Sequence, residues 1–121
     1  MKLPSIVTML AVGLLLRPAA EASTPYRPHM TGAQLVRDML AEPGKGTNSI
    51  RRERAMGYID GIADATANRD WCPAKVLPHE LNYVLIEPIA RLNPARLKGD
   101  AAPLVIAALG RAYPCRTGGA R

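Results

Sequence analysis

Cys72 and Cys115 are the two cysteines of this chain, and the way they are used limits the folds that it can adopt. Together with the two histidines, His29 and His79, they show no spacing that suits a structural zinc site. In an oxidising compartment they are expected to form a disulfide rather than to remain a free pair. Such a bridge would close a loop of about 44 residues, which the loop-entropy model equates with roughly 4 kcal/mol of stability.

The N-terminus indicates that the chain reaches an oxidising compartment. Lys2 precedes an apolar run over residues 6–16, and Ala-Glu-Ala at residues 20–22 is a small-x-small pattern that signal peptidase cuts. The run is shorter than the roughly 20 residues that span a bilayer, so it does not predict stable membrane insertion. We therefore expect residues 1–22 to be a signal peptide and the exported, mature protein to begin near Ser23.

The charge of the chain narrows the choice of partner. The formal net charge is +6, and removal of the signal peptide would leave +5. Nucleic-acid binding is disfavoured because the chain is expected to be exported and, with no Phe and one Trp, offers no aromatic platform for bases. A basic exported domain is instead expected to attract acidic protein surfaces or anionic envelope polymers.

The hydrophobic pattern predicts an all-α domain, a small bundle of about four to five short helices stapled by one disulfide. Thr31 and Gln34 form a capping box at the first helix start, and no segment shows the alternation of a strand. The helices are predicted at about residues 31–42, 49–67, 78–92, 94–97 and 101–113. The predicted organisation is a leader at 23–30, the all-α domain at 31–115 and a tail at 116–121.

Individual residues refine this prediction. Asn48 or Ser49 is the expected N-cap of the second helix, and Pro88 is expected to kink or divide the third helix because it removes a backbone hydrogen bond. Leu40 and Val84 extend the apolar stripes of the first and third helices.

Trp71 precedes the first cysteine of the expected bridge. We expect its indole ring to shield the disulfide and to fill the core, and the alternative is an exposed binding anchor.

Gly57, Gly61 and Ala65 recur at every fourth residue of the second predicted helix. Each glycine costs a helix about 1 kcal/mol relative to Ala, so a compensating role is expected. A ridge of small residues lets another helix approach closely, and we interpret these three as helix-packing residues. The partner would be the last helix or the same helix of a second subunit in a homodimer.

Asp60 and Asp64 are the nearest approach to a catalytic pair, but no nucleophile, metal or acid–base partner accompanies them. A structural or salt-bridged role is favoured over contact with a partner and over catalysis.

His79 and Glu80 begin an HExxH pattern, yet Tyr83 stands where the second histidine is required. We therefore predict that the protein is not an enzyme and holds no metal and no cofactor.

Several motifs together resemble the Rap/Tai family of type VI secretion immunity proteins. They are GYIDGIADA at residues 57–65, Trp-Cys-Pro at 71–73, Asn-Pro-x-x-Leu at 93–97, and an Ala-rich helix that closes in Tyr-Pro-Cys at 101–115. The resemblance extends over about residues 35–115. It implies an all-α periplasmic protein, often dimeric, that binds and blocks a peptidoglycan-cleaving amidase delivered by rival cells.

In that role the protein would act by stoichiometric occlusion, and its polar loops are the first places to seek effector-binding residues. On physical grounds the candidates are Lys45, Arg51, Arg96 and Lys98. The alternative function is an exported basic module that binds the cell envelope and has no toxin partner.

Overall fold

The computed structural model describes residues 23–73 and 78–116. The predicted signal peptide, residues 1–22, therefore lies outside the described residues, as do residues 117–121 of the predicted tail. The described part of the chain contains five α-helices and no strand, which confirms the all-α prediction. The helices are α1 (Gly32–Met39), α2 (Asn48–Thr66), α3 (Pro78–Ala90), α4 (Pro94–Leu97) and α5 (Ala101–Ala112).

Side-chain capping starts α1 as the sequence predicts. The backbone N–H of Gln34 donates to the Thr31 hydroxyl at 3.2 Å, and the Gln34 side chain accepts from the Thr31 N–H at 2.9 Å.

The N-cap of α2 is Thr47, which makes no side-chain hydrogen bond to the helix, so the prediction of Asn48 or Ser49 is wrong. Both side chains bind the preceding loop instead: Asn48 donates to the Glu42 carbonyl, and Ser49 accepts from the backbone.

Pro88 lies inside α3 and does not divide it, since α3 continues from Pro78 to Ala90. The side chain of Asn93 then accepts a hydrogen bond from the Arg96 N–H at 2.9 Å and starts α4. A single turn of helix follows, after which Asp100 occupies the N-cap of α5 without a side-chain bond.

The core lies around α5, which packs against α1, α2 and α3. Seven large side chains are almost completely buried there: Leu35, Met39, Ile59, Leu85, Ile89, Val105 and Leu109. Two apolar residues predicted on the buried stripes are instead exposed, Leu40 by 62% and Val84 by 43%. Leu40 follows the last residue of α1, and the large apolar side chains that this helix buries are Leu35 and Met39, a narrower stripe than predicted.

The predicted disulfide joins Cys72 to Cys115, with 4.8 Å between their Cα atoms. The Cys72 N–H also donates to the Tyr113 carbonyl at 2.9 Å, so a backbone hydrogen bond and the disulfide connect the same two segments.

Trp71 is 5% exposed, its ring lies 5.9 Å from the ring of Tyr113, and its indole N–H donates to the Ala63 carbonyl at 3.0 Å. Trp71 is therefore a core residue next to the bridge, and the alternative of an exposed anchor is wrong.

None of the helices within residues 23–73 and 78–116 is long and apolar enough to cross a bilayer.

Removal of the bridge tests how far it stabilises the fold. We expect the double substitution Cys72→Ser and Cys115→Ser to lower the free energy of unfolding by up to roughly 4 kcal/mol, because the unfolded chain regains the entropy of the open loop. Urea titrations followed by Trp71 fluorescence measure this loss, and the reduced wild-type protein is the matched control. A reduced protein as stable as the oxidised one would contradict this role.

Candidate protein-binding surfaces

The loop between α1 and α2 presents Lys45. Gly44 and Gly46 adopt positive φ angles of 82° and 52°, which glycine takes without steric cost. The Lys45 ammonium lies 2.7 Å from the Glu42 carboxylate, and both side chains are exposed. An exposed pair of this kind contributes little to stability, so Lys45 can exchange Glu42 for an acidic group of a partner.

Arg51 and Arg52 have different roles in the first turns of α2. Arg52 donates to the Met39 carbonyl at 2.7 Å and to the Tyr83 hydroxyl at 2.8 Å, which links α1, α2 and α3. Arg51 is half-buried and donates through Nη2 to Asn48, while its Nε is buried without a hydrogen-bond partner. Arg52 is therefore a structural residue, and Arg51 is held close to the loop that carries Lys45.

Arg96 and Lys98 lie in and directly after α4 and are exposed. This segment adjoins the start of α1, because the Gly32 N–H donates to the Gly99 carbonyl at 2.9 Å. Lys45, in contrast, follows the end of α1, a helix about 12 Å long at 1.5 Å per residue.

The four predicted effector-binding residues therefore form two separate surfaces and not one. We call Lys45 and Arg51 the loop surface, and Arg96 and Lys98 the α4 surface.

A groove lies between α3, α4 and α5, which we call the α3–α5 groove. It encloses a cavity of about 230 Å³. Pro88, Ile89 and Leu92 line one side, and Leu104, Ala107, Ala108 and Ala112 line the other. Arg96 and Arg111 also line the cavity, and both of these side chains are exposed.

Arg111 is a candidate that the sequence analysis missed. It lies four residues after Ala107 on α5, so both residues project from the same face of the helix. One feature of the sequence could have indicated it. Arg111 is a cation on the helix face that carries Leu104, Ala107 and Ala108, whereas a face that is fully buried in the core is expected to be apolar throughout.

Gly57, Gly61 and Ala65 lie on an exposed strip of α2, which we call the α2 face. Apart from the adjacent residues and the backbone of α2 itself, no atom of the described residues comes within 4 Å of a Cβ built on Gly57 or Gly61. The last helix is therefore not the partner of this ridge, and its Ala107 and Ala108 line the α3–α5 groove instead. A second subunit remains the proposed partner.

Two other glycines allow the close approach within the chain. A Cβ on Gly32 would meet Leu104 Cδ1 at 2.6 Å and the Leu97 carbonyl at 3.2 Å. A Cβ on Gly110 would meet the Asp70 carbonyl at 3.1 Å. The fold therefore requires the absence of a side chain at Gly32 and Gly110, and not at the two glycines of the α2 face.

Asp60 and Asp64 are exposed on α2 and form no ion pair within residues 23–73 and 78–116. The salt-bridged interpretation of these aspartates is therefore wrong within this part of the chain. The described residues also hold no group of three or more His, Cys, Asp or Glu side chains that could bind a metal ion.

The shifted ionisable groups have structural causes. Burial raises the pKa of Tyr58, and the negative Asp100 at the start of α5 acts in the same direction, whereas the backbone of Ala102 lowers it. A hydrogen bond to the buried Asp38 raises the pKa of Arg37, whose Nε lies 2.8 Å from that carboxylate.

Residues 31–115 match a protein-family model described as Rap1a immunity proteins. The match covers all five helices and both cysteines. No curated protein matches the chain.

Alanine substitutions distinguish the two kinds of glycine. We expect Gly57→Ala and Gly61→Ala each to raise the stability of the isolated chain by about 0.5–1 kcal/mol, because helix propensity improves where space is open. Gly32→Ala should instead lower stability by about 1–3 kcal/mol, since the new methyl group meets Leu104 and a backbone carbonyl.

Chemical denaturation measures all three variants, and sedimentation analysis reports whether the two α2 variants weaken self-association. Destabilisation by Gly57→Ala in a monomeric protein would show that the α2 face is covered within the chain.

Proposed function

Because the chain belongs to the family of Rap1a immunity proteins, we propose that it is a periplasmic immunity protein that binds and occludes a peptidoglycan amidase delivered by type VI secretion. The family match over residues 31–115 is the observation that carries this proposal. The protein would protect the cell that makes it by binding alone, without catalysing a reaction.

Occlusion of an enzyme requires a rigid surface more than it requires catalytic groups. A stable protein–protein interface buries roughly 800 Å² of each partner, and a scaffold that does not rearrange loses less entropy on binding. The disulfide-linked helices and the core around α5 would supply such a scaffold for the cations of the loop surface and the α4 surface.

Export supports the same assignment. The signal-peptide pattern at residues 1–22 would direct the chain out of the cytoplasm, and the disulfide is stable in an oxidising compartment. A peptidoglycan amidase acts in that compartment, so inhibitor and toxin would meet where the toxin is dangerous.

The most direct test is affinity purification with the mature protein, beginning at Ser23, from periplasm mixed with the host's own secreted effectors. Washing at about 300 mM salt removes proteins that adsorb only through long-range electrostatic attraction. At this salt concentration the Debye length is less than about 10 Å, so charges that lie farther apart are screened from each other. We expect one amidase to be retained in a fixed stoichiometric ratio and to lose its activity when the complex forms.

Recovery of wall fragments alone would contradict the proposal and would favour the envelope-binding module.

Charge substitutions then locate the interface. The pair Lys45→Gln and Arg51→Gln changes the loop surface, the pair Arg96→Gln and Lys98→Gln changes the α4 surface, and Arg54→Gln is an exposed control on α2. We expect the pair at the interface to lower the association rate several-fold and to reduce its dependence on salt, because opposite charges steer encounter.

Stopped-flow or surface-based kinetics at several salt concentrations measure both quantities. Association rates that do not respond to salt, or that fall equally for Arg54→Gln, would exclude charge steering by these surfaces.

A further inference from the structure

The α3–α5 groove has a size suited to one side chain. Pockets for drug-sized ligands begin at about 300 Å³, whereas an apolar cavity of about 150 Å³ already admits a benzene ring. A cavity of about 230 Å³ lies between these values, so it fits a single aromatic or large aliphatic side chain. Its walls are apolar, because Ile89, Leu92 and the alanines of α5 form most of its lining.

Among residues 23–73 and 78–116, the two arginines of the groove have no acidic partner. Arg37, Arg69 and Arg91 each pair with a carboxylate, but Arg96 and Arg111 form no side-chain hydrogen bond or ion pair within the described part of the chain. Guanidinium groups bind carboxylates through two parallel hydrogen bonds when geometry allows. Two free guanidinium groups beside one apolar cavity therefore complement an apolar side chain that has a carboxylate next to it.

We propose that the α3–α5 groove is a docking site for a partner protein that inserts one aromatic or large aliphatic side chain into the cavity, while an adjacent Asp or Glu carboxylate binds Arg96 and Arg111. This inference rests on the proposed function, because the partner that it assigns is the effector amidase. The groove joins Arg96 of the α4 surface to Arg111 of α5, and it adds an apolar anchor to contacts that would otherwise be ionic only.

The tail of the chain does not supply this chemistry. Residues 117–121, Thr-Gly-Gly-Ala-Arg, contain no large apolar side chain and add a further cation. We therefore assign the anchor to another molecule, because a few side chains that fill pockets on the partner carry most of the binding energy of a protein interface.

The test uses two blocked dipeptides, acetyl-Phe-Glu-amide and acetyl-Phe-Gln-amide, which differ only in the carboxylate. Each is titrated at low salt into the ¹⁵N-labelled mature protein, and amide chemical shifts locate the binding site. We expect saturable shifts at Leu92, Ala107 and Arg111, with the Glu peptide binding at least about ten-fold more tightly than the Gln peptide.

Three variants separate the cavity from the charges. Arg96→Gln with Arg111→Gln should remove the preference for the Glu peptide while weak binding of the Phe ring persists. Ala107→Phe should fill the cavity and abolish binding of both peptides, and its circular dichroism spectrum checks that it folds. Arg54→Gln is the matched control and should leave both affinities unchanged.

Equal affinity for the two peptides, or shifts scattered away from the groove, would overturn the proposal. Binding of the mature protein to phosphatidylglycerol vesicles that depends on Arg96 and Arg111, without peptide binding, would assign the groove to anionic lipid and would also overturn it. Self-association that is lost in Ala107→Phe would assign the groove to a second copy of the chain, and it would likewise overturn the proposal.

The docking site and the proposed function can fail separately. If the peptides bind as expected but no amidase is captured, the groove stands and the immunity assignment fails. If an amidase is captured equally well by wild type, by the arginine double variant and by Ala107→Phe, the immunity assignment stands and the groove is not its docking site.

Discussion

Burial of α5 is the interaction on which the rest of this small domain depends. Val105 and Leu109 are completely buried, and the helix packs on α1, α2 and α3, which are thereby held relative to one another. A chain without Phe has few bulky side chains with which to build a core. Packing of α5 against three helices at once compensates for this, because it increases the area that each aliphatic side chain buries. The disulfide holds the end of α5 through Cys115, where helix ends otherwise fray.

The same helix forms one wall of the open α3–α5 groove. Ala107, Ala108 and Ala112 are too small to fill the space between α5 and α3, and this leaves the hollow that the arginines adjoin. Small residues at a helix interface usually let two backbones come together, as Gly32 and Gly110 do here. Where small residues face a cavity, they provide space for a group from outside the chain.

Local chemistry made much of the fold predictable. The capping box at Thr31 and the Cys72–Cys115 bridge depend on residue types at short spacing or on the redox compartment, and both are present. The glycine ridge was harder to interpret, because a sequence shows that Gly57 and Gly61 share a face but not which element faces them.

The candidate site was predicted only in part for the same reason. Arg96 was selected from its loop, but its association with Arg111 arises because the tertiary fold brings both residues to the α3–α5 groove, which no local pattern encodes. Lys45 and Lys98 were placed in one group by charge, although the length of α1 separates their segments.

The hydrogen bond from the Ala101 N–H to the Met30 carbonyl brings the beginning of the domain to the start of its last helix. Contacts this distant in sequence cannot form while the chain is still being made, because α5 follows the other four helices. The surfaces of α1 and α2 that pack against α5 therefore stay uncovered until residues 101–112 are present. The interval between the appearance of α1 and that of α5 is thus the time of greatest exposure to proteases and to aggregation.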